Sequence, residues 1–194
     1  MVDILQDDIT KIINNSNIKT FGLIIYTDEN PNIVKLLRDE DNWKALSRVS
    51  GEKFFIFSVK PKKGYMGFPD FPPGTIGMMV QMWKEPNENN KLFDHLNIKD
   101  SRELPLFVVF TKVDEYLLYK SMSIDESDPH KALEQLKEIF YQIRDVTDKI
   151  HTDYEEHEAQ VHDKIALVLQ QNNAWKIMKN FHNLVKVVKT YKIF

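Results

Sequence analysis

The stretch between Phe21 and Lys60 constrains the fold of this chain more than any other. Residues 21–27 read FGLIIYT and residues 53–60 read KFFIFSVK. Short runs so rich in β-branched and aromatic side chains form strands buried on both faces. Between them Pro31 stands where a first-turn proline belongs, and Ile33, Val34, Leu36, Leu37, Trp43, Leu46 and Val49 recur at helical spacing until Gly51. Proline opens a helix without losing a hydrogen bond, and glycine closes one. Strand, helix and strand within about forty residues make a βαβ unit, whose strands run parallel with a right-handed crossover.

The rest of the chain is read outward from that unit. Residues 2–14 place Ile4, Leu5, Ile9, Ile12 and Ile13 on one helical side, with Asp3, Asp7 and Asp8 near its positive N-terminal end. Residues 61–74, PKKGYMGFPDFPPG, are dense in proline and glycine and predict a long irregular loop. In residues 75–83 Ile76, Met78, Val80 and Met82 alternate with their neighbours, the period of a half-buried strand, and Glu85 to Asn90 is a polar turn. A short helix is predicted over 91–98, carrying Leu92, Phe93 and Leu96, and strands over 104–111 and 115–123 with a tight turn between them. Asp128-Pro129 is a capping residue followed by a first-turn proline, and an apolar face continues from Ala132 through Ile143 to Val168. A last helix is predicted over 174–192, with Ile177, Phe181, Leu184, Val188 and Tyr191 along one stripe. The chain thus divides into an N-terminal helix (1–19), an α/β domain (20–150) with an insertion at 61–90, and a helical extension (151–194).

Composition removes whole classes of chemistry. None of the 194 residues is cysteine, which excludes disulfides, thiolate metal sites and cysteine nucleophiles. The N-terminal residues lack the cationic start and apolar core of a secretory signal, and no apolar run approaches the ~20 residues that cross a bilayer. A soluble cytoplasmic protein is expected. No phosphate-binding glycine loop or GxSxG elbow is present.

The segment Glu103-Leu104-Pro105-Leu106-Phe107-Val108-Val109-Phe110 resembles the cis-proline of the thioredoxin family, which leads directly into a hydrophobic strand. The upstream helix, the hairpin that follows and the terminal amphipathic helix come in that family's order, and the resemblance covers residues 20–143. It implies a three-layer α/β/α sandwich with a mixed central sheet, here carrying an N-terminal helix and a helical C-terminal extension. It also implies a site where the first strand meets its helix, beside Leu104 and Pro105. The family's CxxC belongs at that junction, but Tyr26-Thr27-Asp28-Glu29-Asn30-Pro31 stands there. A thiolate is both nucleophile and leaving group in disulfide exchange, so no thiol-disulfide oxidoreductase activity is expected. Glutathione-transferase relatives use Ser or Tyr, which brings Tyr26 and Thr27 into view for small-ligand binding or non-cysteine chemistry in the cleft near Pro31 and Pro105. Asp28, Glu29 and Tyr65 are further candidates there.

Three other features carry weight. His157 and His162 in HEAQVH lie five apart, about 140° around a helix, so no zinc site is expected, nor any other metal or cofactor. In the 61–74 loop, Tyr65, Phe68 and Phe71 sit among Pro69, Pro72 and Pro73. They are either aromatic anchors of a recognition loop or a cover folded back over the core. Acidic residues dominate 145–163, while 164–194 holds six lysines and no acid. That pairing suggests helices that pack together or join two copies. The expected partner is therefore a protein or a second copy, bound through the C-terminal helices, with no nucleic acid, no transmembrane segment and no peripheral membrane contact.

Overall fold

The computed structural model describes residues 20–75, 77, 80–113, 116–149, 163–165, 167 and 176–178. Strand β1 (Thr20–Ile25) leads into helices α1 (Pro31–Arg38) and α2 (Glu40–Ser50), then strand β2 (Phe54–Val59). Short strands β3 (Tyr65–Gly67) and β4 (Met82–Lys84) precede helix α3 (Asn87–Leu96) and a 3-10 turn at Ser101–Glu103. Strands β5 (Leu106–Val113) and β6 (Tyr116–Ser123), helix α4 (Pro129–Lys149) and strand β7 (Lys176–Met178) complete the order.

The molecule is mixed α/β. Its main sheet has the order β2-β1-β5-β6-β7, parallel between β1 and β2 and antiparallel at the other junctions. The βαβ unit is present as read. Its crossover, however, consists of two helices, because Asp39 leaves helical geometry and its side chain caps α2 by accepting from the amides of Asp41 and Asn42. Alternation along the strands separates two apolar layers. Phe21, Leu23, Ile25, Val108 and Phe110 pack against α3, and Ile24, Phe54, Phe107 and Val109 pack against α1, α2 and α4. Phe54, Phe107 and Phe140 meet edge-on or tilted, with ring centroids 5.2–6.4 Å apart, a geometry that adds to their burial. Gly22 belongs to this cluster because a Cβ there would lie 2.6 Å from the Phe107 ring.

Four expectations need correction. Among the described residues of the strand read at 75–83, only Met82 and Trp83 are in a strand, β4, whose partner is Tyr65–Gly67 across the loop. Residues 87–90 of the polar turn read at 85–90 are instead the first turn of α3, since Asn89 supplies the buried position one turn before Leu92 and Phe93. The strand read at 104–111 runs two residues further, to Val113, which pairs with Tyr116. The last helix does not hold at its start either. Residues 176–178, Ile177 among them, form β7 and pair with Leu117–Tyr119, covering a β6 edge whose backbone groups would otherwise go unpaired. The N-terminal helix and Phe181, Leu184, Val188 and Tyr191 lie outside the described residues. Among the described residues no helix is long and apolar enough to cross a membrane.

Candidate functional site

The junction expected at the end of β1 does meet the Pro105 turn. The Leu104–Pro105 peptide bond is cis, and Asn30 reaches its carbonyl. Its Nδ2 donates to the Leu104 carbonyl at 3.1 Å, while its Oδ1 accepts from the Thr27 amide at 2.8 Å and from the Thr27 hydroxyl at 3.4 Å. Thr27 Oγ1 in turn accepts from the Glu29 amide at 3.2 Å. Thr27, Asn30 and Leu104 are each at most 7% exposed. The remaining backbone groups of the turn are also engaged: Leu104 N donates to Ser101 O, and Ile124 N donates to Pro105 O. Buried polar groups of this kind need internal partners, and here they have them.

Helix α1 begins at this junction, and its first amides meet a carboxylate from the β6–α4 loop. Asn32 N donates to Glu126 Oε1 at 2.7 Å and Ile33 N to Oε2 at 3.3 Å, and Asn32 Nδ2 donates to the Glu126 carbonyl at 2.7 Å. A helix N-terminus attracts an anion through its unpaired amides. In this chain the anion is one of its own side chains. Nothing in the local sequence around Glu126 marks it for that role.

The exposed acids of the junction are paired as well. Asp28 meets Lys60 at 2.5 Å and Glu29 meets Lys63 at 3.2 Å. Tyr26 is buried, and that desolvation raises its phenol above the ordinary value; Asp28 raises it further, while Arg38 and a hydrogen bond with Ser58 pull it back. A phenol held protonated in this way is a poor base near neutral pH.

The 61–74 loop behaves differently. Strands β3 and β4 make it the first half of an antiparallel ribbon, turned at Pro72 and Thr75, where Thr75 N donates to Pro72 O and Gly74 takes a φ of 89°. Glycine meets that angle without steric cost. The ribbon is clamped at its base. Buried Asn89 accepts from Lys62 N at 3.0 Å and donates to Lys62 O at 2.6 Å, and it also donates to Glu85. Glu85 Oε2 accepts from Ser101 N at 2.9 Å and from Trp83 Nε1 at 3.4 Å. The Trp83 ring lies against Gly64, where a Cβ would overlap it, and the Arg102 guanidinium stands 5.5 Å from its centroid.

Beyond this base the apolar side chains turn outward. Tyr65, Met66, Phe68, Phe71, Val80 and Met82 are 43–56% exposed. The aromatic residues therefore do not fold back over the core; the sheet face near them is already covered by Leu92, Phe93 and Leu96 of α3. Sequence reading finds Tyr65, Phe68 and Phe71 but misses Met66, Val80 and Met82, because alternation in 75–83 looks like a face buried against the sheet. Asn89 was findable, as the polar residue on an otherwise apolar helical face.

Among the described residues, no group of three or more His, Asp or Glu side chains is placed to hold a metal ion. No family model matches the chain, and no curated protein or solved structure matches it either.

Proposed function

We propose that this chain is a thioredoxin-like scaffold without thiol chemistry that works as a protein-interaction module, with the ribbon at 61–85 as its recognition element. The observation that carries the reading is the exposed set of Tyr65, Met66, Phe68, Phe71, Val80 and Met82 on a ribbon fixed at its base. Exposed apolar side chains on a rigid support are what protein interfaces use, since little order has to be imposed on binding. Methionine adds polarizable, adaptable contacts. The order of strands and helices and the Asn30 contact beside Pro105 support the scaffold part of the reading. The junction contributes architecture, because its buried polar groups bond to one another and its exposed acids to lysines.

The test is affinity capture with the full chain, a variant combining Tyr65→Ser, Phe68→Ser and Phe71→Ser, and a control with Tyr141→Ser, an exposed aromatic on α4. All three should melt together, since none of the substituted rings is buried. At least one protein held by the parent and the control is expected to be lost from the triple variant. Identical capture by all three would remove the ribbon from the reading.

A further inference from the structure

We infer that Glu85 is a positioning residue that couples the ribbon to the β1–α1 junction, so that a change at either one is felt at the other. The coupling itself needs no partner. Its use, a junction that tunes how firmly the ribbon is held for binding, rests on the reading of the ribbon as the recognition element.

Both legs of the ribbon end on the Glu85 carboxylate. The β3 leg reaches it through Asn89, which holds Lys62 by its amide and its carbonyl and donates to Glu85 Oε1. The β4 leg reaches it directly, since Trp83 Nε1 donates to Oε2 at 3.4 Å. That same oxygen accepts at 2.9 Å from Ser101 N, in the 3-10 turn that leads to Pro105. One side chain thus ties the ribbon, α3 and the turn together.

From the turn the contacts continue to the junction. Ser101 O accepts from Leu104 N at 3.2 Å, Leu104 O accepts from Asn30 Nδ2 at 3.1 Å, and Asn30 Oδ1 accepts from Thr27 N at 2.8 Å. Asn89, Ser101, Leu104, Asn30 and Thr27 are all buried, so water does not readily replace a contact that opens. A second connection runs beside the first: the Arg102 guanidinium, which donates to Asp100, stands 5.5 Å from the centroid of the Trp83 ring.

The centre of this network demands a carboxylate. All three groups that face Glu85 are N–H donors, and Asn89 already uses its own oxygen on Lys62 N. A glutamine amide offers a single acceptor oxygen and sets an NH2 against at least one of those donors. Glu85→Gln therefore opens the connection while keeping size and shape. Glu85 and Asn30 share no partner. Effects at two such sites add unless a common network joins them.

The test is urea denaturation of the full chain, Glu85→Gln, Asn30→Ala and the double variant. In its unfolding equilibrium constant the double variant should be about fivefold or more less perturbed than the product of the two single effects. Amide hydrogen exchange, taken relative to Val108 N in the sheet so that a global loss of stability cancels, gives the local reading. Glu85→Gln should speed exchange at Leu104 N and Thr27 N, and Asn30→Ala at Ser101 N and Lys62 N. Glu88→Gln, which loses only the exposed pair with Lys62, should leave Leu104 N and Thr27 N as in the parent. Trp83→Phe removes only the Nε1 donor and makes the same reading if Glu85→Gln folds poorly. Additive effects, or exchange changes confined to the mutated end, overturn the coupling. Asn30→Ala should also weaken capture through the ribbon; unchanged capture, where the Tyr65, Phe68 and Phe71 triple variant loses it, overturns the use of the coupling. Coupled amides in a chain whose capture ignores the triple variant would instead keep the coupling and remove recognition from the ribbon.

Discussion

Asn30 ties the β1–α1 junction to the Pro105 turn, and its removal measures how closed that junction is. Asn30→Ala deletes three hydrogen bonds and leaves Thr27 N and Leu104 O without partners, in surroundings no more than 7% exposed. An orphaned buried polar group costs about 1–3 kcal/mol. The two together should cost about 2–4 kcal/mol, allowing for partial relaxation toward water. For a chain of this size each kcal/mol lowers the melting temperature by roughly 2–4 °C, so a fall of about 5–15 °C is expected by calorimetry. Asn30→Asp separates the two halves of the contact. Its carboxylate still accepts from Thr27 N, but it faces the Leu104 carbonyl across about 3 Å with no proton between them. Protonation supplies that donor, so the folded state raises the pKa of the introduced carboxyl. The stability of Asn30→Asp relative to the parent is then greatest below the unfolded value of about 3.9 and is lost as pH rises through the higher folded value. Urea denaturation at several pH values reads this directly. If Asn30→Ala falls within about 0.5 kcal/mol of the parent, and Asn30→Asp shows no added pH dependence, water already reaches the junction. The cleft, not the ribbon, would then be the better candidate for binding.

Two further variants probe the core and the turn before Pro105. Gly22→Ala would push a methyl group to 2.6–2.7 Å from the Phe107 ring and 3.0 Å from that of Phe54, and rings so packed have nowhere to move. A loss of about 1–3 kcal/mol is expected from urea midpoints, and an unchanged midpoint would mean the aromatic cluster is looser than drawn. Asp100 accepts from Arg102 N at 2.9 Å, from Nε at 3.0 Å and from Nη2 at 2.5 Å, and that guanidinium holds its carboxyl below the ordinary value. Asp100→Ala should therefore cost about 1 kcal/mol at neutral pH, mostly as a lost cap since Arg102 is well exposed. A depressed folded pKa contributes stability above the unfolded value, which disappears as pH falls through the folded one. The difference from the parent should thus shrink as pH falls below the unfolded value of about 3.9, and a difference that stays the same from neutral pH into that range would show that the carboxylate charge plays no part.

The βαβ unit was legible because hydrophobic periodicity reports burial, and both its strands and its helical face are buried. The break at Asp39 was less so. The apolar spacing of Ile33 to Val49 runs straight across it, and only the cap formed by Asp39 with Asp41 N and Asn42 N shows where one helix ends and the next begins. The same limit explains β7. Ile177 fits a helical stripe as readily as a strand, and the choice depends on the free edge of β6, more than fifty residues away. Local pattern carries no information about a vacant edge elsewhere in the chain.

The same reasoning explains why the two halves of the candidate site were unequally legible. At the junction, residue type and position pointed to the right neighbourhood, and Asn30 does touch the carbonyl before Pro105. Its chemistry could not be read, because that depends on Glu126 and Lys60 arriving from elsewhere to occupy the amides of α1 and the Asp28 carboxylate. In the ribbon, composition announced aromatic residues but not the side they face, since a half-buried strand and an exposed ribbon share one alternation. What decides between them is whether the sheet has room. Leu92, Phe93 and Leu96 of α3 already fill the layer over Leu23, Val108 and Phe110, so Tyr65, Met66, Phe68, Phe71, Val80 and Met82 are left with no place in the core. A surface formed in this way, by exclusion from a full core and then fixed by Asn89 and Trp83, is stable in the monomer and still gains from being covered. That is the physical condition for an interface that assembles after folding rather than as part of it.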